Sequence, residues 1–218
     1  MTDASFLKRN GLSIAVILMM LASWLGQALT GHAAHNDELH RHGQSGIGLA
    51  AYLASGDFWA ATFENWESEF LQMGVYVLLT VWLRQKGSAE SRPFDDYDET
   101  PKPTPLHLQP RAWRHGGIVR WLYANSLSIA FIALFGLCFA GHLLGSWRKA
   151  LDEAIAHAQP AMTLSAYATD PSFWFESFQN WQSEFLAVFS LIVLSIFLRQ
   201  KDSPQSKPVD APHGQTGG

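Results

Sequence analysis

The chain has 218 residues, 15 Lys and Arg against 19 Asp and Glu, and a formal net charge of −4, a balance that argues against a basic nucleic-acid-binding surface. Its single cysteine, Cys138, excludes an intrachain disulfide. A mean hydropathy of +0.00 conceals four apolar blocks diluted by polar and Pro/Gly-rich stretches, and the 9 Trp and 14 Phe suit helices that cross a membrane–water interface.

The blocks cover residues 12–30, 63–83, 121–144 and 173–198. Each reaches the roughly 20 residues a membrane crossing needs. The first follows Lys8 and Arg9 and precedes the small residues Ala33 and Ala34, a pattern shared with signal peptides. Its counterpart in mid-chain, the third block, predicts that it is retained as a span.

Four histidines follow, His32, His35, His40 and His42, with Asp37 and Glu38 among them. Spacings such as His32 and His35 can share a helix face, yet solvated loop histidines are the expectation and no complete ligand set for a metal is legible. Ser55 and the Asp170-Pro171 pair are helix-start signals. They predict that the second and fourth helices begin near residues 56 and 171 and run about 28 residues, roughly 42 Å. Short interfacial helices are expected around Tyr52 and Tyr167.

Between the second and third blocks the chain turns acidic, with Glu90, Asp95, Asp96, Asp98 and Glu99, and then Pro-rich, with Pro101, Pro103, Pro105 and Pro110. Such a segment reads as a linker. Arg111, Trp113, Arg114, Arg120 and Trp121 are expected to anchor the third helix at the inner face, and residues after 204 read as a disordered tail. Counted by loop, 12 of the 15 basic residues fall on the side of both termini and the middle loop, leaving Arg41, Arg148 and Lys149 on the other. This predicts cytoplasmic termini.

An internal repeat is the strongest signal. Asn10, Leu12, Ser13, Ile14 and Ala15 recur as Asn125, Leu127, Ser128, Ile129 and Ala130. Asn65, Trp66, Ser68, Glu69, Phe70 and Leu71 recur as Asn180, Trp181, Ser183, Glu184, Phe185 and Leu186, and Leu83-Arg84-Gln85-Lys86 as Leu198-Arg199-Gln200-Lys201. The offset is 115 throughout, and residues 10–88 match 125–203 at about 30 of 79 positions without a gap. Two spans per copy give both copies the same orientation, related by a pseudo-two-fold axis along the membrane normal. Residues 1–9 form a cytoplasmic N-terminus, 10–88 the first repeat, 89–119 the linker, 120–203 the second repeat and 204–218 the tail.

The 64–72 and 173–186 runs and the Leu-Arg-Gln-Lys endings resemble those of a family of small bacterial membrane proteins of unknown function. The resemblance implies a four-helix membrane fold and an inner-membrane location, and implies no activity.

Glu69 and Glu184 share one repeat position, roughly 21 Å from the cytoplasmic helix end in a core about 30 Å thick. Carboxylates at that depth call for partners or water. Asn65 and Asn180 lie one turn outward. Gln72, Tyr76 and Thr80 continue the stripe in the second helix only. Gln27 and His142 are equivalent positions near the outer ends of the first and third helices and are candidate partners of the glutamates; the alternative places the glutamates solvated in the outer interface, flanked by Trp66 and Trp181. The second and fourth helices are expected to meet through these polar faces. Gly26 and Gly141, with Ala22, Gly136 and Ala140, read as helix-packing positions.

These features predict an all-α polytopic membrane protein with four transmembrane helices in two tandem parallel two-helix repeats, in the inner (plasma) membrane. The chain carries no catalytic motif and is expected to be non-enzymatic, without a cofactor or metal. Its expected partners are the lipid bilayer and an unidentified membrane or cytoplasmic protein, not nucleic acid. A structural or accessory membrane component is the leading reading. The alternative is a small transporter or ion- or proton-conducting protein using Glu69 and Glu184.

Overall fold

A computed structural model describes residues 6–94 and 104–217. The acidic run from Asp95 to Glu99, with Pro101 and Pro103, lies outside the described residues. Helices dominate: α1 (Phe6–Arg41), α2 (Leu49–Leu53), α3 (Gly56–Trp82), α4 (Arg111–His115), α5 (Gly117–Ala124), α6 (Ser126–Ala156), α7 (Leu164–Tyr167) and α8 (Pro171–Phe197), with a 3-10 turn at Leu106–Leu108. No strand occurs among the described residues.

Three helices, α1, α6 and α8, are long and apolar enough to cross a membrane, where the sequence suggests four. The helix that falls short is α3. It has the length, at 27 residues, but its first half carries Asp57, Glu64, Glu67 and Glu69, and each ionised carboxylate is costly in hydrocarbon.

Helix starts follow local chemistry. Asp170 caps α8 by accepting the Ser172 N–H at 2.8 Å, and Pro171 occupies the first turn. The Ser172 hydrogen bonds hold the Asp170 carboxyl below the usual aspartate range. Ser55 plays the same part for α3, accepting the Phe58 N–H at 3.4 Å. The short helices α2 and α7 place Tyr52 and Tyr167, both buried.

The chain divides into two compact units, one of residues 1–62 with 144–162 and one of residues 63–143 with 163–218. In the first unit, Ala28, Tyr52 and Phe58 form a buried cluster packed by Trp24, Ile47, Leu53 and Trp59. Trp24 stacks on Phe58 at 6.1 Å between centroids. Thr62 accepts hydrogen bonds from Gln27 Nε2 at 3.1 Å and from Trp24 Nε1 at 3.4 Å. The backbones of α3 and α6 touch in this unit. A Cβ on Gly145 would stand 2.7 Å from Ala60 N, and one on Gly56 would stand 2.7 Å from Gly145 O.

In the second unit, at positions 115 residues on, Phe139 meets Phe173 at 5.5 Å and Trp174 at 6.0 Å, while Tyr167 meets Phe173 at 5.9 Å. These repeat the pairings of Trp24 with Phe58 and Trp59 and of Tyr52 with Phe58. Close packing at the expected glycines is found at Gly141, where an added Cβ would meet the Phe63 ring at 2.6 Å, but not at Gly26 or Gly136, which have open space. At Gly56 and Gly145 the added Cβ would first meet backbone of the facing helix rather than a side chain.

The ends of α3 and α8 depart from the linker and tail expected there. Ser91 Oγ accepts the Gln85 N–H at 3.0 Å, and Arg92 donates back to Val81 O at 3.2 Å. At the same offset, Ser206 Oγ accepts the Gln200 N–H at 2.9 Å and Lys207 donates to Ile196 O at 3.4 Å. Each cation thereby reaches a carbonyl in the last turn of its helix, where the helix dipole favours positive charge. Lys207 is buried and also donates to Gly87 O, His213 O and Gln215 O at 2.5, 2.9 and 3.0 Å. The last fourteen residues before Gly218 thus include an anchored turn.

Candidate functional site

In the second unit, ionisable and polar residues converge where α3, α6 and α8 face each other. Glu64 and Glu67 are three residues apart on α3 and share a face. His142 lies one turn beyond Phe139 and Cys138 on α6. Glu176, Ser177 and Asn180 lie on one face of α8.

His142 and Glu67 are completely buried. His142 Nδ1 stands 3.2 Å from Glu67 Oε2, and Nε2 stands 3.6 Å from Glu176 Oε2, whose side chain is 42% exposed. Trp181 Nε1 donates to Glu67 Oε1 at 3.2 Å, and Asn180 Nδ2 donates to Glu64 Oε1. The Phe173 ring covers the imidazole at 5.0 Å. Both imidazole nitrogens, Glu67 Oε2 and the hydroxyl of fully buried Ser177 lack an aligned hydrogen-bond partner. Three carboxylates therefore surround one imidazole, with Glu67 shielded from water and Glu176 open to it. Ligand atoms of Glu64, His142 and Glu176 lie within 4.8 Å of one another.

The expected site residues divide around this cluster. His142 does pair with glutamate, and Asn180 joins it, but the glutamates are Glu64, Glu67 and Glu176 rather than Glu69 and Glu184. Glu69 and Asn65 are exposed, and Glu184 is half-buried. Glu69 follows Glu67 by two residues, about 200° around the helix, and so points away from His142. Gln27 lies in the first unit and bonds Thr62. Helices α3 and α8 do meet, through Asn180 with Glu64, Trp181 with Glu67, and Gln72 Nε2 donating to Glu184 O at 3.0 Å. Further along, Gln72, Tyr76 and Thr80 line a mostly apolar cavity of about 410 Å³ with Phe185, Phe189 and Ile192.

The histidines at and beyond the C-terminal end of α1 have structural bonds. His32 contacts Ile47 O at 2.7 Å, His35 contacts Asp57 at 2.6 Å, and His42 meets His157 ring to ring at 5.6 Å. Burial and the Asp57 carboxylate raise the Tyr52 phenol above its ordinary range.

The chain matches the family described as Domain of unknown function (DUF6766) over residues 3–218. It belongs to that family. No curated protein and no solved structure matches this DUF6766 chain.

Proposed function

We propose that this DUF6766 chain is a multi-pass membrane protein that handles protons or small cations at the His142 cluster. The observation that carries the reading is the complete burial of His142 and Glu67 beside Glu64 and Glu176. A buried ionisable cluster within apolar helices is costly to keep and marks an ion or proton path more often than a packing device. The transport alternative thereby moves from Glu69 and Glu184 to residues one face away.

In this reading α3 crosses the membrane with α1, α6 and α8. Its carboxylates are tolerable because Glu67 turns to His142 and Trp181 and Glu64 turns to Asn180. Four crossings also bring both termini and the basic middle loop to the cytoplasmic side of a bacterial inner membrane. The paired contacts at an offset of 115 support descent from a duplicated two-helix unit.

A second reading keeps the chain as a non-enzymatic structural or accessory component. The interhelical bonds from Asn180 and Trp181 favour it, since they tie α3 to α8.

Proteoliposomes separate the two. With a pH-sensitive dye inside and an imposed potential, the wild-type chain is expected to pass protons or compete cations, and His142→Ala is expected to abolish the flux. A folded wild-type chain with no flux of protons, Na+, K+ or divalent cations would favour the structural reading.

A further inference from the structure

The two nitrogens of His142 face different carboxylates, and the difference has chemical content. Nδ1 faces Glu67 at 3.2 Å, and Glu67 is fully buried and fixed on its other oxygen by Trp181. Nε2 faces Glu176, which is partly exposed, and a carboxylate oxygen of Glu64 completes a group of three ligand atoms within 4.8 Å. Glu64 is itself oriented by Asn180.

We propose that Glu64, His142 Nε2 and Glu176 bind a first-row transition-metal dication such as Zn²⁺ or Mn²⁺. This rests on the reading of the cluster as an ion-handling site. A metal-ligating imidazole normally gives its other N–H to a carboxylate, which fixes the tautomer and ring orientation. Glu67 stands in that position. Asn180 does the corresponding work for Glu64, so two of the three ligands have a supporting partner.

Charge balance argues the same way. With a neutral imidazole and all three carboxylates ionised, the partly buried group would carry three negative charges, and a dication would reduce the excess to one. His142 Nε2 is a fully buried polar atom with no aligned hydrogen-bond partner, 3.6 Å from Glu176 Oε2. An imidazole ligand selects first-row transition metals over Mg²⁺ and Ca²⁺, which take oxygen ligands. Three protein ligands leave coordination positions open. The exposed side of Glu176 gives the ion its way in.

The site does not draw on His32 and His35, which lie in the other unit and bond Ile47 and Asp57. It also excludes Glu69, which is exposed.

The test is equilibrium dialysis of the purified full chain in detergent against Zn²⁺, and separately Mn²⁺, with bound metal measured by elemental analysis. About one equivalent per chain is expected, undisturbed by excess Mg²⁺. Glu176→Gln and His142→Ala should each weaken binding by at least about tenfold, Glu67→Gln by about 10–100-fold, and Glu69→Gln not at all. Glu176 is partly exposed, so its variant decides the matter even if His142→Ala fails to fold. Absence of saturable binding, or full affinity in Glu176→Gln, overturns the metal site. Proton flux that depends on His142 without metal binding would overturn the metal site alone and leave the ion-handling reading standing. Stoichiometric metal binding without flux would uphold the site and overturn the transport reading.

Discussion

His142 Nδ1 stands 3.2 Å from Glu67 Oε2, and neither side chain has any exposed surface. Removing one partner of such a pair strands the other, which costs about 3–5 kcal/mol. Glu67→Ala is therefore expected to destabilise the protein strongly, whereas Glu67→Leu combined with His142→Phe restores much of the loss. Thermal melts in detergent, with a double-mutant cycle, check this. Additive single and double effects would contradict the pairing.

The contact of Gly145 with Ala60 makes a second expectation. A Cβ there meets backbone at 2.7 Å rather than a flexible side chain, so Gly145→Leu forces the helices apart at about 1–3 kcal/mol or more. Gly26→Leu, facing open space, is expected to change the melting temperature little. Comparable losses in both variants would overturn the assignment of Gly145 as the tight position.

Lys207 holds four backbone carbonyls, and hydrogen bonds to a charged group contribute about 1.5–3 kcal/mol each, not additively. Lys207→Ala is expected to free the C-terminal turn. Limited proteolysis should then remove residues after 200 at least several-fold faster than in the wild type. An unchanged cleavage rate would show that the anchor is dispensable.

Asp170 gives a pH dependence with a definite sign. Its folded carboxyl titrates below the ordinary aspartate range because Ser172 donates to it. The cap's stabilisation is thus present above about pH 4 and is lost as pH falls through the lower, folded value. Asp170→Ala should lower the melting temperature at neutral pH, with the gap to wild type closing in acid. A gap that persists in strong acid would mean the carboxylate is not the cap.

Much of the helical layout is legible in the sequence, because caps and periodic apolar runs are local. Ser55 and Asp170 mark the starts of α3 and α8, and Tyr52 and Tyr167 mark the short helices before them. The polar cluster is less legible for a physical reason. Positions identical in both repeats, Glu69 and Glu184, draw attention, yet the cluster is built from positions where the repeats differ. His142 replaces Gln27, Glu176 replaces Ala61, and Glu64 and Glu67 stand against Gln179 and Gln182. The first repeat has a neutral Gln27–Thr62 hydrogen bond at the corresponding place. Only within the apolar blocks does a comparison of the repeats for differences in acidic, basic and histidine residues single out these four; the connecting segments carry others, such as Ala33 against Arg148 and Asp57 against Ser172. The anchored tail is hidden in the sequence because Ser91-Arg92-Pro93 and Ser206-Lys207-Pro208 continue the repeat beyond residue 88, within segments whose polar composition reads as unstructured.

The most direct measurement is ion flux through proteoliposomes carrying Glu67→Gln or Glu69→Gln, at matched protein incorporation. The account predicts that Glu67→Gln loses most of the flux and Glu69→Gln keeps it, since of these two glutamates Glu67 is the one that faces His142. Loss in Glu69→Gln with retention in Glu67→Gln would contradict the central claim and return the site to the opposite face of α3.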